Sequence, residues 1–181
     1  MQTSEQNEPI VTTNATSSEA TGEKTYRYQT PAWLGAAITP CNLVLEGGAM
    51  RCQFTAGVLD FWMEKKFFPQ LIVGTSAGAL MGSCYAAGLL GRSCFLNLKY
   101  CDDPRYLSMK SFALTGNAFG RDFAFDKVPH ELDPLDPAAY NNSPVNVVAV
   151  SSNLETGEAD YHEEILSAVT PATVVGGTSH E

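Results

Sequence analysis

The chain has 181 residues, 44% apolar and 17% charged, a balance suited to one domain with a real core. A formal net charge of −9 and the lack of any Lys/Arg cluster exclude an electrostatic reading as a nucleic-acid binder. No apolar run reaches the roughly 18 to 20 residues that span a bilayer, so any membrane contact has to rest on apolar surface more than on charge attraction.

Residues 1 to about 28 are rich in Ser, Thr, Glu, Gln and Asn and nearly free of aromatic or branched apolar side chains before Tyr26. Such a segment cannot bury enough surface to offset its ordering entropy and reads as a disordered tail. Residues 29 to 41, with Pro31 and Pro40, read as an irregular lead-in, so that residues 1–40 form the tail and 41–181 the domain. No basic-then-apolar leader opens the chain, and Cys41, Cys52, Cys84, Cys94 and Cys101 are too irregularly spaced for a disulfide framework or a metal site. The reading is a cytoplasmic protein with reduced thiols, no metal and no cofactor. Two glycosylation-type triplets, at Asn14 and Asn141, carry no weight without a signal peptide.

Asn42 to Glu46 is predicted as a short strand, and Met50 to Glu64 as a helix with Met50, Phe54, Val58 and Phe61 at helical spacing. The turn between them, Glu46-Gly47-Gly48-Ala49-Met50-Arg51-Cys52, presents backbone N–H groups with no side chains in the way, as holding an oxyanion or a phosphate requires. Three readings compete for it. A phosphate loop would need Gly-Lys-Ser/Thr where Arg51-Cys52-Gln53 stands, a dinucleotide fingerprint would need Gly-x-Gly-x-x-Gly, and the plain alternative is a tight turn that uses glycines.

Leu71 to Gly74 is the next strand, and Ala77 to Leu90 the next helix. Ser76 stands on the turn that joins them, within Gly74-Thr75-Ser76-Ala77-Gly78. Glycines flank a nucleophilic serine in this way because a sharp strand-to-helix turn brings backbones into contact. The turn also exposes the hydroxyl where the first free amides of a helix favour negative charge. Many Gly-x-Ser-x-Gly strings are ordinary turns, and the strand-turn-helix context is what separates this one from them. Two glycine turns at the carboxyl edge of one parallel sheet would bring a nucleophile and an anion hole together.

Residues 91 to 144 carry polar breaks and prolines near aspartates and read as short helices. Val145 to Ser151 is a third strand, and Ala159 to His162 a fourth, joined by Glu155-Thr156-Gly157-Glu158. Two crossovers and a hairpin imply a mainly parallel sheet with helices on its faces.

The runs Leu43 to Arg51, Phe54 to Asp60 and Val73 to Ala79, with Arg105 to Ser108, Gly120 to Phe125, Phe125 to Pro129 and Asn153 to Glu158, resemble those of a bacterial patatin-like phospholipase over about residues 42 to 165. The resemblance implies a three-layer α/β sandwich that cleaves acyl esters of lipids through a Ser-Asp dyad. Carried over by position, Ser76 matches the nucleophile, with Gly74, Thr75, Ala77 and Gly78 as its elbow. Gly47, Gly48 and Ala49 match the oxyanion hole, and Arg51 the arginine that follows it. Cys52 stands where the family has glycine. The implied partners are a lipid or phospholipid substrate and a peripheral membrane contact.

The dyad's aspartate in such enzymes opens an Asp-Gly-Gly or Asp-Gly-Ala turn. Asp60, Asp102, Asp103, Asp122, Asp126, Asp133, Asp136 and Asp160 are all followed by other residues. The expectation is therefore a chain truncated before its acid, with an exposed sheet edge prone to self-association. The alternative function is a remnant that binds lipid or a partner without turnover. Nothing in their spacing aims His130, His162 or His180 at Ser76, and Asp122 and Asp126 read as structural.

Overall fold

The computed structural model describes residues 30–106, 120 and 122–163. The expected tail, Leu107 and Ser108, Arg121 and the C-terminal run with His180 lie outside them. In chain order the elements are β1 (Ile38–Leu45), a 3-10 turn (Ala49–Arg51), α1 (Cys52–Glu64), β2 (Phe68–Thr75), α2 (Ala77–Ala86) and α3 (Arg92–Tyr100). A π-helical segment (Asp122–Leu132), α4 (Pro137–Asn141), β3 (Asn146–Ser152) and β4 (Ala159–His162) complete them.

The sheet has the order β1-β2-β3-β4. β1, β2 and β3 are parallel, with Leu45 beside Gly74 and Gly74 beside Ala149, and β4 runs antiparallel to β3. The hairpin closes where Asn153 Oδ1 accepts from the amides of Glu155 and Thr156 at 2.9 and 3.1 Å, with Gly157 at φ 74°. This is the mainly parallel α/β sheet that the pattern of elements implies.

β1 starts at Ile38, inside the stretch expected to be irregular. Pro40 is tolerated because β1 is the outer strand of this sheet and its register shifts between Thr39 and Asn42, where a bulge spares the missing amide. The second helix stops at Ala86, short of the expected Leu90. Gly88, at φ 69°, ends it by accepting the left-handed conformation, while Leu89 N–H donates to Cys84 O and Gly88 N–H to Tyr85 O.

Both crossovers advance the sheet in one direction, so right-handed connections place α1 and α2 on the same face. There Leu45, Ile72, Val147 and Ala149 meet Leu59, Met63, Ala79, Met81 and Tyr85 in the main core. Phe68 and Tyr85 stack at 5.1 Å, and the Tyr85 hydroxyl donates to Phe67 O. The opposite face leaves Val44 75% and Tyr161 68% exposed.

The residues whose spacing marks α1 in the sequence are not the ones it buries. The stripe it buries is Cys52, Ala56, Leu59 and Met63, whereas Phe54 is 81% and Phe61 54% exposed. The helix carries apolar side chains on two faces, and the one with small residues turns inward, where close approach to α2 favours small volumes.

Candidate functional site

Gly47 to Arg51 and Ser76 meet at the carboxyl ends of β1 and β2. Gly78 stands so close to the carbonyls of Leu45 and Glu46 that a Cβ there would lie 2.6 Å from Glu46 O, and a Cβ on Gly74 would lie 2.7 Å from the Ala79 backbone. Only glycine lets α2 start this tightly against the two strand ends.

Ser76 itself has φ 53° and ψ −126°, and Ala49 has φ 46°. Among the described residues, the non-glycine positions with positive φ are these two and Lys66. Strained backbone of this kind persists where the surroundings over-determine it, and such positions gather at functional sites.

Ser76 is the N-cap of α2, yet its hydroxyl makes no capping hydrogen bond. A serine at this position ordinarily turns its oxygen back onto the first free amides. Here the carbonyl of Ser76 accepts from Ala79 N–H at 3.0 Å, and among the described residues Oγ has no hydrogen-bond partner. The amides of Gly47, Gly48 and Ala49 likewise donate to no described partner. Gly47 lies beside the serine, since a Cβ on it would come within 3.0 Å of Ser76 Cβ and 3.7 Å of Oγ, and Ala49 lines the same cavity as Ser76. The site thus combines an uncommitted hydroxyl with uncommitted donors next to it.

Arg51 closes the 3-10 turn and folds its guanidinium back over Gly48, while remaining exposed. Cys52 is buried, 3% exposed, and its thiol donates to Glu46 O at 3.7 Å. Burial pushes its pKa up, so it stays a neutral thiol rather than a second nucleophile.

A cavity of about 400 Å³ runs from Ala49, Met50 and Ser76 between α2, α3, the π-helical segment and α4. Leu80, Leu96, Phe125 and Tyr140 supply apolar walls. Its polar residues are hydrogen-bonded to one another or to groups behind the wall: Arg92 Nη2 donates to Asp133 O at 2.6 Å, Asn97 Nδ2 to Gln53 Oε1 at 2.8 Å, and the Tyr106 hydroxyl to Asn97 Oδ1 at 2.7 Å. Burial pushes the Tyr106 and Tyr140 phenols up to about 12, so both stay neutral. Behind the wall, the fully buried Asp133 carboxylate takes Lys99 Nζ at 2.8 Å and the Tyr100 hydroxyl at 2.5 Å. Sequence reasoning assigned no role to Arg92, Asn97, Tyr106 or Asp133. Lys99 and Asp133 are 34 positions apart, and no local pattern links them.

The histidines stand elsewhere. His162 lies on β4 opposite Ala149, with Nε2 2.8 Å from Ser151 Oγ, and His130 is exposed on the π-helical segment. Asp122 and Asp126 are exposed on that segment too.

A mainly parallel sheet with two turns of positive φ at its carboxyl edge is an α/β arrangement of the kind in which ligands bind where the strands end. The chain belongs to the patatin-like phospholipase family, whose model matches residues 43–168, and that family is one of lipid acyl hydrolases. It is 33% identical over 120 residues to the Escherichia coli (strain K12) protein named "Uncharacterized protein YjjU". That match covers 66% of this chain and 30% of the relative, so the chain spans under a third of that protein's length. No solved structure matches it.

Proposed function

We propose that the chain carries the nucleophile and the anion hole of a serine acyl hydrolase acting on fatty-acyl esters of lipids or phospholipids. Ser76 Oγ attacks the ester carbonyl, and the oxygen that becomes negative is met by the amides of Gly47, Gly48 and Ala49 on the turn that leads into α1. The acyl chain lies along the cavity, whose walls offer it apolar contact. Arg51, an exposed cation, flanks the turn. The observation that carries the reading is Ser76 itself: a strained N-cap serine whose hydroxyl caps nothing and opens into an apolar cavity.

Attack requires a base to take the Oγ proton, and among the described residues no carboxylate or imidazole is hydrogen-bonded to Oγ. This observation favours a second reading, a lipid- or partner-binding protein without turnover. A serine without a base loses about two to four orders of magnitude in rate. Among the described residues no helix is long and apolar enough to cross a membrane, and we place the protein in the cytoplasm, in peripheral contact with membrane.

Labelling by a fluorophosphonate, beside Ser76→Ala and with circular dichroism on both, separates the two readings. We expect labelling of the parent chain and none of the variant. A folded parent chain that stays unlabelled makes the second reading the function.

A further inference from the structure

We propose that the outward stripe of α1, Phe54 and Phe61, together with Leu98 of α3, is a docking surface for a phospholipid interface; it rests on the reading of the Ser76 cavity as a lipid-ester site. Phe54 is 81%, Leu98 72% and Phe61 54% exposed, although they belong to two regular helices with well-buried inner faces. Exposed aromatic side chains in series along one helix are not needed for the fold, which closes its core with Cys52, Ala56, Leu59 and Met63 instead.

The stripe begins close to the cavity along the chain. Met50, on the 3-10 turn that leads into α1, lines the cavity, and Phe54 follows in the first turn of α1. Gln53 Oε1 accepts from Asn97 Nδ2 at 2.8 Å, which ties the first turn of α1 to the last turns of α3, and the exposed Phe54 and Leu98 are the next residues on each helix. An acyl chain leaving a bilayer at this surface would meet the opening of the cavity without crossing water.

Charge selects the kind of surface. On a chain of net charge −9, the stripe is bracketed by cations: Arg51 is exposed before its first turn, and Lys65 at its end holds Nζ 5.3 Å from the centre of the Phe61 ring. Aromatic rings at acyl depth with Arg and Lys heads at the level of the phosphates is the arrangement an interfacial helix uses. The nearby carboxylates include Glu46, Glu64 and Asp102, all exposed, and Asp60, which is committed to Gly91 N–H at 2.9 Å. With acids beside the cations, zwitterionic phospholipid suffices, and strongly anionic surface adds little.

The test is flotation of the full chain with phosphatidylcholine vesicles, with phosphatidylcholine vesicles containing phosphatidylglycerol, and with a phosphate-free triacylglycerol emulsion. The parent chain and Ser76→Ala should float equally with both vesicle types and less with the emulsion. The double variant Phe54→Ser/Phe61→Ser should lose about tenfold or more in partitioning while keeping its circular dichroism and its fluorophosphonate labelling rate, which reads Ser76 separately. Vesicle binding unchanged in the double variant overturns the proposal. So does binding lost only in Val44→Ser/Tyr161→Ser, or a parent chain that stays in the aqueous phase and is dimeric through these phenylalanines.

Discussion

Ser76 is bracketed by residues whose identity is set by backbone contact. Gly78 lies against two carbonyls at the end of β1, one of them 2.6 Å from where a methyl group would go. Backbone atoms cannot move aside as a flexible side chain can. Gly78→Ala is therefore expected to cost about 1–3 kcal/mol or more, read from the urea midpoint. It should also abolish fluorophosphonate labelling even at temperatures where the variant stays folded, because α2 would start further from Gly47. This much of the site was legible in the sequence, since a glycine turn reports its own geometry. The partners of Arg92, Asn97 and Asp133 were not, because the segments they join come together only through tertiary packing.

At the scale of elements, the seam between α1 and α3 holds the cavity mouth in shape. Asp60 of α1 accepts from Gly91 N–H at the start of α3 at 2.9 Å. Burial raises its carboxyl above the ordinary value, against the lowering effect of that amide, and it raises Cys94 beside it to about 11. A carboxyl raised in the folded state contributes stability that is fully present below its unfolded pKa and is lost as pH rises through the folded pKa. Asp60→Asn keeps an oxygen for Gly91 but cannot ionise. The urea midpoint of the parent minus that of the variant should fall as pH rises from the acid range to neutrality; a difference that stays flat would show that burial of this carboxylate costs nothing. The elements themselves were largely readable, and the misreadings share a cause. Gly88 ends α2 by its conformation, which apolar periodicity does not register, and α1 shows two apolar stripes between which only packing against α2 decides.

The whole molecule is asymmetric. Helices cover the sheet face carrying Ile72 and Ala149, whereas the other leaves Val44 75% and Tyr161 68% exposed, with β1 at one edge of the sheet. An apolar face that no described element covers, beside a strand edge that no described strand pairs, invites another chain. We expect the isolated protein to self-associate on size-exclusion chromatography with light scattering, and Val44→Lys/Tyr161→Lys to shift it toward monomer. A clean monomer for the parent chain would count against that expectation.

The strand order also sets a timetable for synthesis. β2 ends at Thr75, but its partner β3 begins only at Asn146. At the usual pace of a ribosome the interval is on the order of several seconds. Throughout it, Ile72 and the inner face of α2 lack Val147 and Ala149, although Ser76 and the glycine turn have already emerged. Parallel pairing of this kind is slow to form and leaves apolar surface waiting. The nascent chain would then carry the Ser76 turn before the sheet that holds it taut, and its yield in a cell would depend on chaperone supply during that interval more than on the stability of the finished fold.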